Sequence, residues 1–375
     1  MIAVVLKERA VAEQRVAIVP DAVARLTEQG VEVRVESGAG QDAGFGDVAY
    51  RDAGARVESA GAAALAAEAD ILLCVQPPPA ELLAGARRGA ALIGLLRPLD
   101  SPELVRDLAG RGISALAMEL VPRMTRAQRM DALSSQATVA GYRAVLVAAT
   151  AIGKFFPMLM TAAGTIAPAR VLVLGAGVAG LQAIATARRL GAVVHAFDIR
   201  PAVKEQVESL GATFVGLQLE EAETAGGYAK EVSEDVHRRE QELLAKHVAE
   251  SDVVITTALV PGKRAPVLVT RAMVEAMRPG SVIIDLAAEA GGNTEVTPEE
   301  GQADHGGVTI VALTNAAAGL PQHASQMYSR NVTELLLHLT GEGGTLNIDP
   351  GDEITRECLI THGGDVVHPR LKPGR

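Results

Sequence analysis

The chain has 375 residues, long enough for two domains with real cores, and its 48% apolar content with 2% aromatics and no tryptophan means those cores are built from Ala, Val, Leu and Ile. A net charge of −10 with no basic cluster argues against a nucleic-acid partner, since phosphate backbones need clustered Lys and Arg. Cys74 and Cys358 lie far apart in no CxxC spacing, which fits reduced, buried thiols in a cytoplasmic protein better than a disulfide framework. The first apolar run, 2–6, is too short for a signal peptide and has charges directly behind it. A helix is expected near 21–29, then apolar runs at 31–35, 70–75, 90–95 and 113–117. Apolar runs alternating with helical ones predict βαβ units and a parallel sheet. Residues 125–150 carry a long helical pattern that Gly141 is expected to break, connecting to a second domain. Strands are expected there near 171–174, 193–197, 213–215, 253–256, 282–285 and 308–312. The charged stretch 220–242, with Gly226 and Gly227 near its start, reads as an exposed loop running into a helix. After Thr314 a Gly-Leu-Pro step leads to a helix over 324–339, and the tail from 341 reads as turns and short hairpin strands that pack back on the first domain. No segment reads as a membrane span: the uncharged run 171–187 is the glycine-turn segment itself, and the run 155–169 holds two prolines.

Residues 171–200, VLVLGAGVAGLQAIATARRLGAVVHAFDIR, supply the parts of a dinucleotide site in order. An apolar strand enters a turn carrying Gly175, Gly177 and Gly180, and an Ala-rich helix follows. The first glycine permits the tight turn, the second lets backbone approach a pyrophosphate, and the third lets helix and strand pack closely. A second strand ends in Asp198, eighteen positions beyond Gly180, where an acid meets the adenosine ribose hydroxyls. That acid favours NAD over NADP. Arg200, two residues on, is placed to meet a 2′-phosphate, so spacing alone leaves the choice open.

The segment 122–135, PRMTRAQRMDALSS, concentrates polar groups where one domain hands over to the other. Arg123, Gln128, Asp131 and Ser134 recur at spacings of three to five, and the last three are expected to share a helix face. In a cleft between two α/β domains, such groups would hold a nicotinamide carboxamide; a solvated first helical turn with Arg–Asp pairing explains the same spacing equally well. His195, His237, His247, His305 and His323 are too scattered for a metal site, and no nucleophile stands beside a general base. Asp285, Glu289 and the segment 262–266 fall at strand ends, where open α/β sheets contact ligands, although turn chemistry and strand-end capping explain each singly.

Six motifs in order, PRMTRAQRMD, SSQATVAGYRAV, GAGVAGLQAIATARRLGA, AETAGGYAKE, ITTALVPGKRAPVLVT and SVIIDLAAEAGGN, resemble the NAD(H)-binding alpha subunits of proton-translocating nicotinamide nucleotide transhydrogenase over essentially the whole chain. The resemblance implies an α/β fold of two Rossmann-like, doubly wound parallel-sheet domains with a cleft between them, 1–133 completed by 316–375, and 134–315. It implies a homodimer binding NAD(H), working with an NADP(H)-binding beta subunit and a small membrane-embedded alpha subunit. The location implied is cytoplasmic, peripheral at the inner membrane through those partners. The activity implied is Re/Si-specific hydride transfer between NADH and NADP⁺ coupled to proton translocation. By the same resemblance Arg123, Gln128, Asp131 and Ser134 contact the nicotinamide end as the catalytic set, with Tyr142 near them. Gly175, Ala176, Gly177, Val178 and Gly180 line the pyrophosphate, and Asp198, with Ile199 and Arg200, takes the ribose. A mobile loop bearing Gly227 and Tyr228 closes over the nucleotide, and Leu259 is a further apolar contact.

Alanine dehydrogenase is a related family, and residues separate the two. Its arginine in an RVA motif is matched by Arg15, and its acid before a double glycine by Glu289. The lysine that holds its substrate carboxylate falls at Gln76, and its catalytic histidine near Arg97. Without lysine and histidine the chain has no evident proton shuttle for an amino acid or keto acid, which favours the transhydrogenase.

Overall fold

Runs of Val, Ile, Leu and Ala without a polar break suit strands covered on both faces, and the strands at the centre of each sheet of this chain are of that kind. The computed structural model describes residues 1–216, 234–259 and 262–372. It divides into two compact units, 1–136 with 317–375, and 137–316.

In the first unit, β1 (Ile2–Val5), β2 (Glu32–Glu36), β3 (Arg56–Glu58), β4 (Ile71–Leu73), β5 (Ala91–Gly94) and β6 (Ser114–Ala117) pair in parallel. The second unit holds a hairpin, β7 (Leu159–Thr161) with β8 (Gly164–Ile166), and a sheet of β9 (Arg170–Leu174), β10 (Val193–Phe197), β11 (Thr213–Val215), β12 (Val253–Thr256), β13 (Val282–Asp285), β14 (Gly301–His305) and β15 (Val308–Ala312). The chain then returns to the first unit, where β16 (Leu359–His362) and β17 (Asp365–Val366) extend its sheet antiparallel beyond β6. The two orders are β17-β16-β6-β5-β4-β1-β2-β3 and β11-β10-β9-β12-β13-β15-β14. Each sheet is wound in both directions from its first parallel strand, so strand order reverses between β1 and β4 and again between β9 and β12. Both sheets are Rossmann-like.

Pleating sends alternate side chains to opposite layers. Val171 and Val173 pack into one core of the second unit, while Leu172 and Leu174 pack into the other. In the first unit Ala3 and Val5 face the layer that includes Tyr50 and Tyr328, and Val4 and Leu6 face Leu83 and Leu108.

Four local expectations are corrected. The helical pattern at 125–150 is interrupted at Asp131, where a 3-10 turn Thr125–Met130 gives way to the helix Ala132–Ala151, and Gly141 lies unbroken within that helix. Gln128, Asp131 and Ser134 accordingly do not share one helix face. The polar edge strand β14 is a further strand, joined to β15 through Gly306 and Gly307, both at positive φ. The tail also contains a helix, Glu353–Cys358, whose N-cap carboxylate, Asp352, accepts the Thr355 N–H at 2.9 Å. Among the described residues no helix is long and apolar enough to cross a membrane.

Candidate functional site

Open parallel sheets take ligands outside the carboxyl ends of their strands, where strand order reverses. In the second unit that point lies between β9 and β12, and the glycine turn leaves β9 there. Gly175 has φ +99°, and a β-carbon on it would stand 2.5 Å from Thr257 Oγ1. A β-carbon on Gly180 would stand 1.8 Å from the Gly175 carbonyl oxygen, so helix and strand meet backbone to backbone. Gly177 differs from both: its missing side chain would meet nothing within 4 Å. Open space at the second glycine, and packing at the first and third, fits the division of labour of a pyrophosphate cradle. Gly177 is also the N-cap of the helix Val178–Arg189 and brings no capping side chain, leaving the first-turn N–H groups to a ligand.

Asp198 follows β10, the neighbour of β9, and is buried. One carboxylate oxygen accepts the Ala176 N–H at 2.7 Å and an Arg200 guanidinium N–H at 2.8 Å; the other accepts Arg200 N–H and Nε–H, both at 2.9 Å. Burial pushes this carboxyl up, but the hydrogen bonds and charge of Arg200, with the Ala176 N–H, outweigh it and hold the carboxyl below the ordinary aspartate value. Arg200 thus lies folded against Asp198. Val178, Ile199 and Leu259 are exposed apolar side chains following β9, β10 and β12 in turn, an apolar rim along one edge of the sheet. Ala176 is buried in the turn itself.

Tyr142 is exposed on the helix Ala132–Ala151. In the first unit, Arg123 and Gln128 are exposed, and Asp131 caps that same helix at its start: its carboxylate accepts the Ser134 N–H at 2.8 Å and the Ser134 hydroxyl at 2.6 Å. Of the four polar residues picked out there, only Asp131 and Ser134 are seen bonded to one another. Gly227 and Tyr228 lie outside the described residues.

Arg15 is buried, with Nε and Nη2 on the Glu13 carboxylate at 2.8 and 2.6 Å and Nη1 on Gln136 Oε1 at 2.8 Å. Gln76 donates its amide to Glu13 at 3.2 Å. Glu8, beyond β1, accepts the N–H groups of Val75 and Gln76 beyond β4 at 2.6 and 3.0 Å, and burial pushes its carboxyl up to about 7. Arg97 is exposed at φ +48°. Sequence reasoning does not single out Glu8 or Gln136, because their partners lie far along the chain, nor Glu13, whose pairing with nearby Arg15 shows only once Gln76 and Gln136 are brought beside them. Asp285 is buried at the end of β13 and bonded to Thr256, Ala287, Asn293 and Thr297, which is strand-end capping, and Glu289 accepts the Asn315 N–H at 2.6 Å.

Residues 4–140 match the alanine dehydrogenase/PNT N-terminal domain and residues 144–369 the alanine dehydrogenase/PNT C-terminal domain. The chain is 48% identical over 374 residues to an NAD(P) transhydrogenase subunit alpha chain of Rhodospirillum rubrum, covering 97% of each chain. A crystal structure of transhydrogenase from Sinorhizobium meliloti superposes with a TM-score of 0.90 at 44% identity, over 98% of this chain and 100% of that one. Alanine dehydrogenase of Bacillus subtilis is more distant, 30% identical over 95% of this chain and 90% of its own length. The glycine turn, the acid beyond β10 and likeness over the full length all agree: this chain belongs to the alanine dehydrogenase/PNT family, on the branch of the NAD(P) transhydrogenase alpha subunits.

Proposed function

We propose that this chain is the NAD(H)-binding subunit of a proton-translocating transhydrogenase, in which hydride passes directly, with Re/Si specificity, between NADH held here and NADP⁺ held on a beta subunit. The observation that carries the reading is the β9–β12 crevice, with open space at Gly177 between a bare helix start and an ionised Asp198. Bound NADH supplies the hydride. The protein's part is binding and orientation: first-turn N–H groups attract the pyrophosphate, Asp198 accepts the ribose hydroxyls, and Val178, Ile199 and Leu259 offer apolar cover. Arg200 has to leave one carboxylate oxygen of Asp198 for the ribose.

In this reading Arg123, Gln128, Asp131 and Ser134 act at the nicotinamide end, with Gln128 reaching toward the partner's nucleotide, and Tyr142 stands nearby. Closure of the segment bearing Gly227 and Tyr228 excludes water. No proton travels with the hydride, so proximity and orientation are what the chain must provide. Proton movement belongs to the partners, the beta subunit and a small membrane-embedded alpha subunit, and places this chain at the cytoplasmic face of the inner membrane. Self-association as a homodimer is supported by the hairpin β7–β8, which exposes Met160 and Ile166, with Met158 exposed just before it.

The test mixes the purified chain with an NADP(H)-binding transhydrogenase domain and follows reduction of an NAD analogue by NADPH. Turnover that requires both proteins is expected. No transfer, together with NADH oxidation by this chain alone in pyruvate and ammonium, would mark an amino-acid dehydrogenase of the alanine dehydrogenase kind instead.

A further inference from the structure

Asn293 carries an unusual share of the hydrogen bonds beside the β9–β12 crevice. It is fully buried. Its side-chain oxygen accepts the Ala258 N–H at 3.0 Å, and its amide nitrogen donates to the carbonyls of Ala258 at 2.9 Å and Pro266 at 2.8 Å. Its own N–H donates to Asp285 at 2.8 Å, and its carbonyl accepts the N–H groups of Leu268 and Val269 at 2.8 and 3.0 Å. Gly292 makes this approach possible: it has φ +79°, and a β-carbon there would stand 2.9 Å from Asp285 Oδ2 and 2.7 Å from Thr297.

Ala258 sits between Thr257, whose hydroxyl lies 3.1 Å from the Gly175 carbonyl, and the exposed Leu259. A single side chain that holds both the N–H and the C=O of Ala258 fixes the peptide planes on either side, and with them the direction in which Leu259 points. We propose that Asn293 is a positioning residue for the dinucleotide: without touching it, Asn293 presets the Ala258–Leu259 wall of the crevice opposite the glycine turn. The proposal rests on the reading of that crevice as the NADH site. A preset wall binds more tightly than one that must be ordered by its ligand, because the ordering entropy is already spent.

The discriminating variant is Asn293→Asp, which keeps the shape but, when ionised, turns an oxygen toward the carbonyls of Ala258 and Pro266. When protonated it donates to one of them and still accepts from Ala258, and burial beside carbonyls raises the pH at which that proton is held. NADH fluorescence titrations are therefore expected to show affinity weakened about tenfold or more at pH 8, recovering toward pH 6, with no such trend in the wild type. Thermal midpoints are recorded alongside. A lowered midpoint with unchanged NADH affinity at both pH values makes Asn293 a fold stabiliser only and overturns the proposal. Should Asn293→Asp not fold, hydrogen exchange on the nucleotide-free wild type decides. Slow exchange at the amides of Ala258, Leu268 and Val269 supports the preset wall, and fast exchange that slows only with NADH overturns it. A wild type that binds no NADH at all defeats the function reading instead, and the exchange result still stands on its own.

Discussion

Gly141 packs against Ala179 so closely that a β-carbon on the glycine would lie 2.0 Å from the Ala179 carbonyl oxygen. The helix Ala132–Ala151 and the first turn of the helix Val178–Arg189 therefore meet backbone to backbone at this point. Gly141→Ala must push them apart, and the cost expected is about 1–3 kcal/mol or more. Gly110→Ala, within the helix Pro102–Arg111 and facing open space, is expected to gain about 0.5–1 kcal/mol. Urea unfolding of the two variants checks the contrast; equal effects would show that the close approach does not matter.

Asp198→Ala removes an ionised acceptor from the crevice. NADH affinity is expected to fall by about 1–3 kcal/mol, read by calorimetry. The same carboxylate stabilises the fold, and because its native value lies below the ordinary one, that contribution is complete above about pH 4 and is lost as pH falls through the depressed value. The stability gap between wild type and Asp198→Asn should hold from pH 7 to pH 5 and close in stronger acid. A gap that widens on acidification contradicts the assignment.

His195 on β10 and His247 on the helix Glu234–Glu250 face each other with ring centroids 5.4 Å apart and planes tilted by 40°. Burial lowers both values; the rings' mutual repulsion lowers that of His195, nearby Arg170 lowers both and Lys246 that of His247, and Glu250 opposes. Depressed native values mean that the pair stabilises fully above about pH 6.5 and less as pH falls through those values. The urea midpoint of the wild type should drop between pH 7.5 and pH 5.5 more than that of a His195→Gln, His247→Gln double variant. Parallel curves would remove the pair from the acid response.

Met160 is 76% exposed at the hairpin β7–β8. If this ribbon is where two copies meet, Met160→Asp places a charge in the contact and halves the sedimenting mass at micromolar concentration. A wild-type chain that already sediments as a monomer would rule the homodimer out.

The glycine turn and its flanking strands are legible because everything that makes them is local. Val171 to Leu174, Gly175, Gly177, Gly180 and Asp198 fall within thirty residues, and each acts through backbone conformation, burial or a short reach. Gly141 is misread for the complementary reason. A glycine in a helical pattern signals a break when only its neighbours are considered, but its role is set by Ala179, thirty-eight residues on. β14, GQADH, escapes notice because an exposed edge strand carries no apolar alternation; the double glycine after it, bending the chain back to β15, is the available sign.

The amino-acid sequence by itself determined the class of fold, the strand–turn–helix cradle and the acid beside it, since hydrophobic period and glycine placement act over a few residues. Only the tertiary structure decided that Arg200 lies on Asp198, that Arg15 is held by Glu13 and Gln136, that Glu8 joins the loops beyond β1 and β4, and that Asn293 grips Ala258 and Pro266. Except for the near neighbours Asp198 with Arg200 and Glu13 with Arg15, these are hydrogen bonds between groups dozens of residues apart. Such groups meet only once parallel strands have brought their carboxyl ends to a common edge, and no local spacing encodes which of the many polar side chains will find each other there.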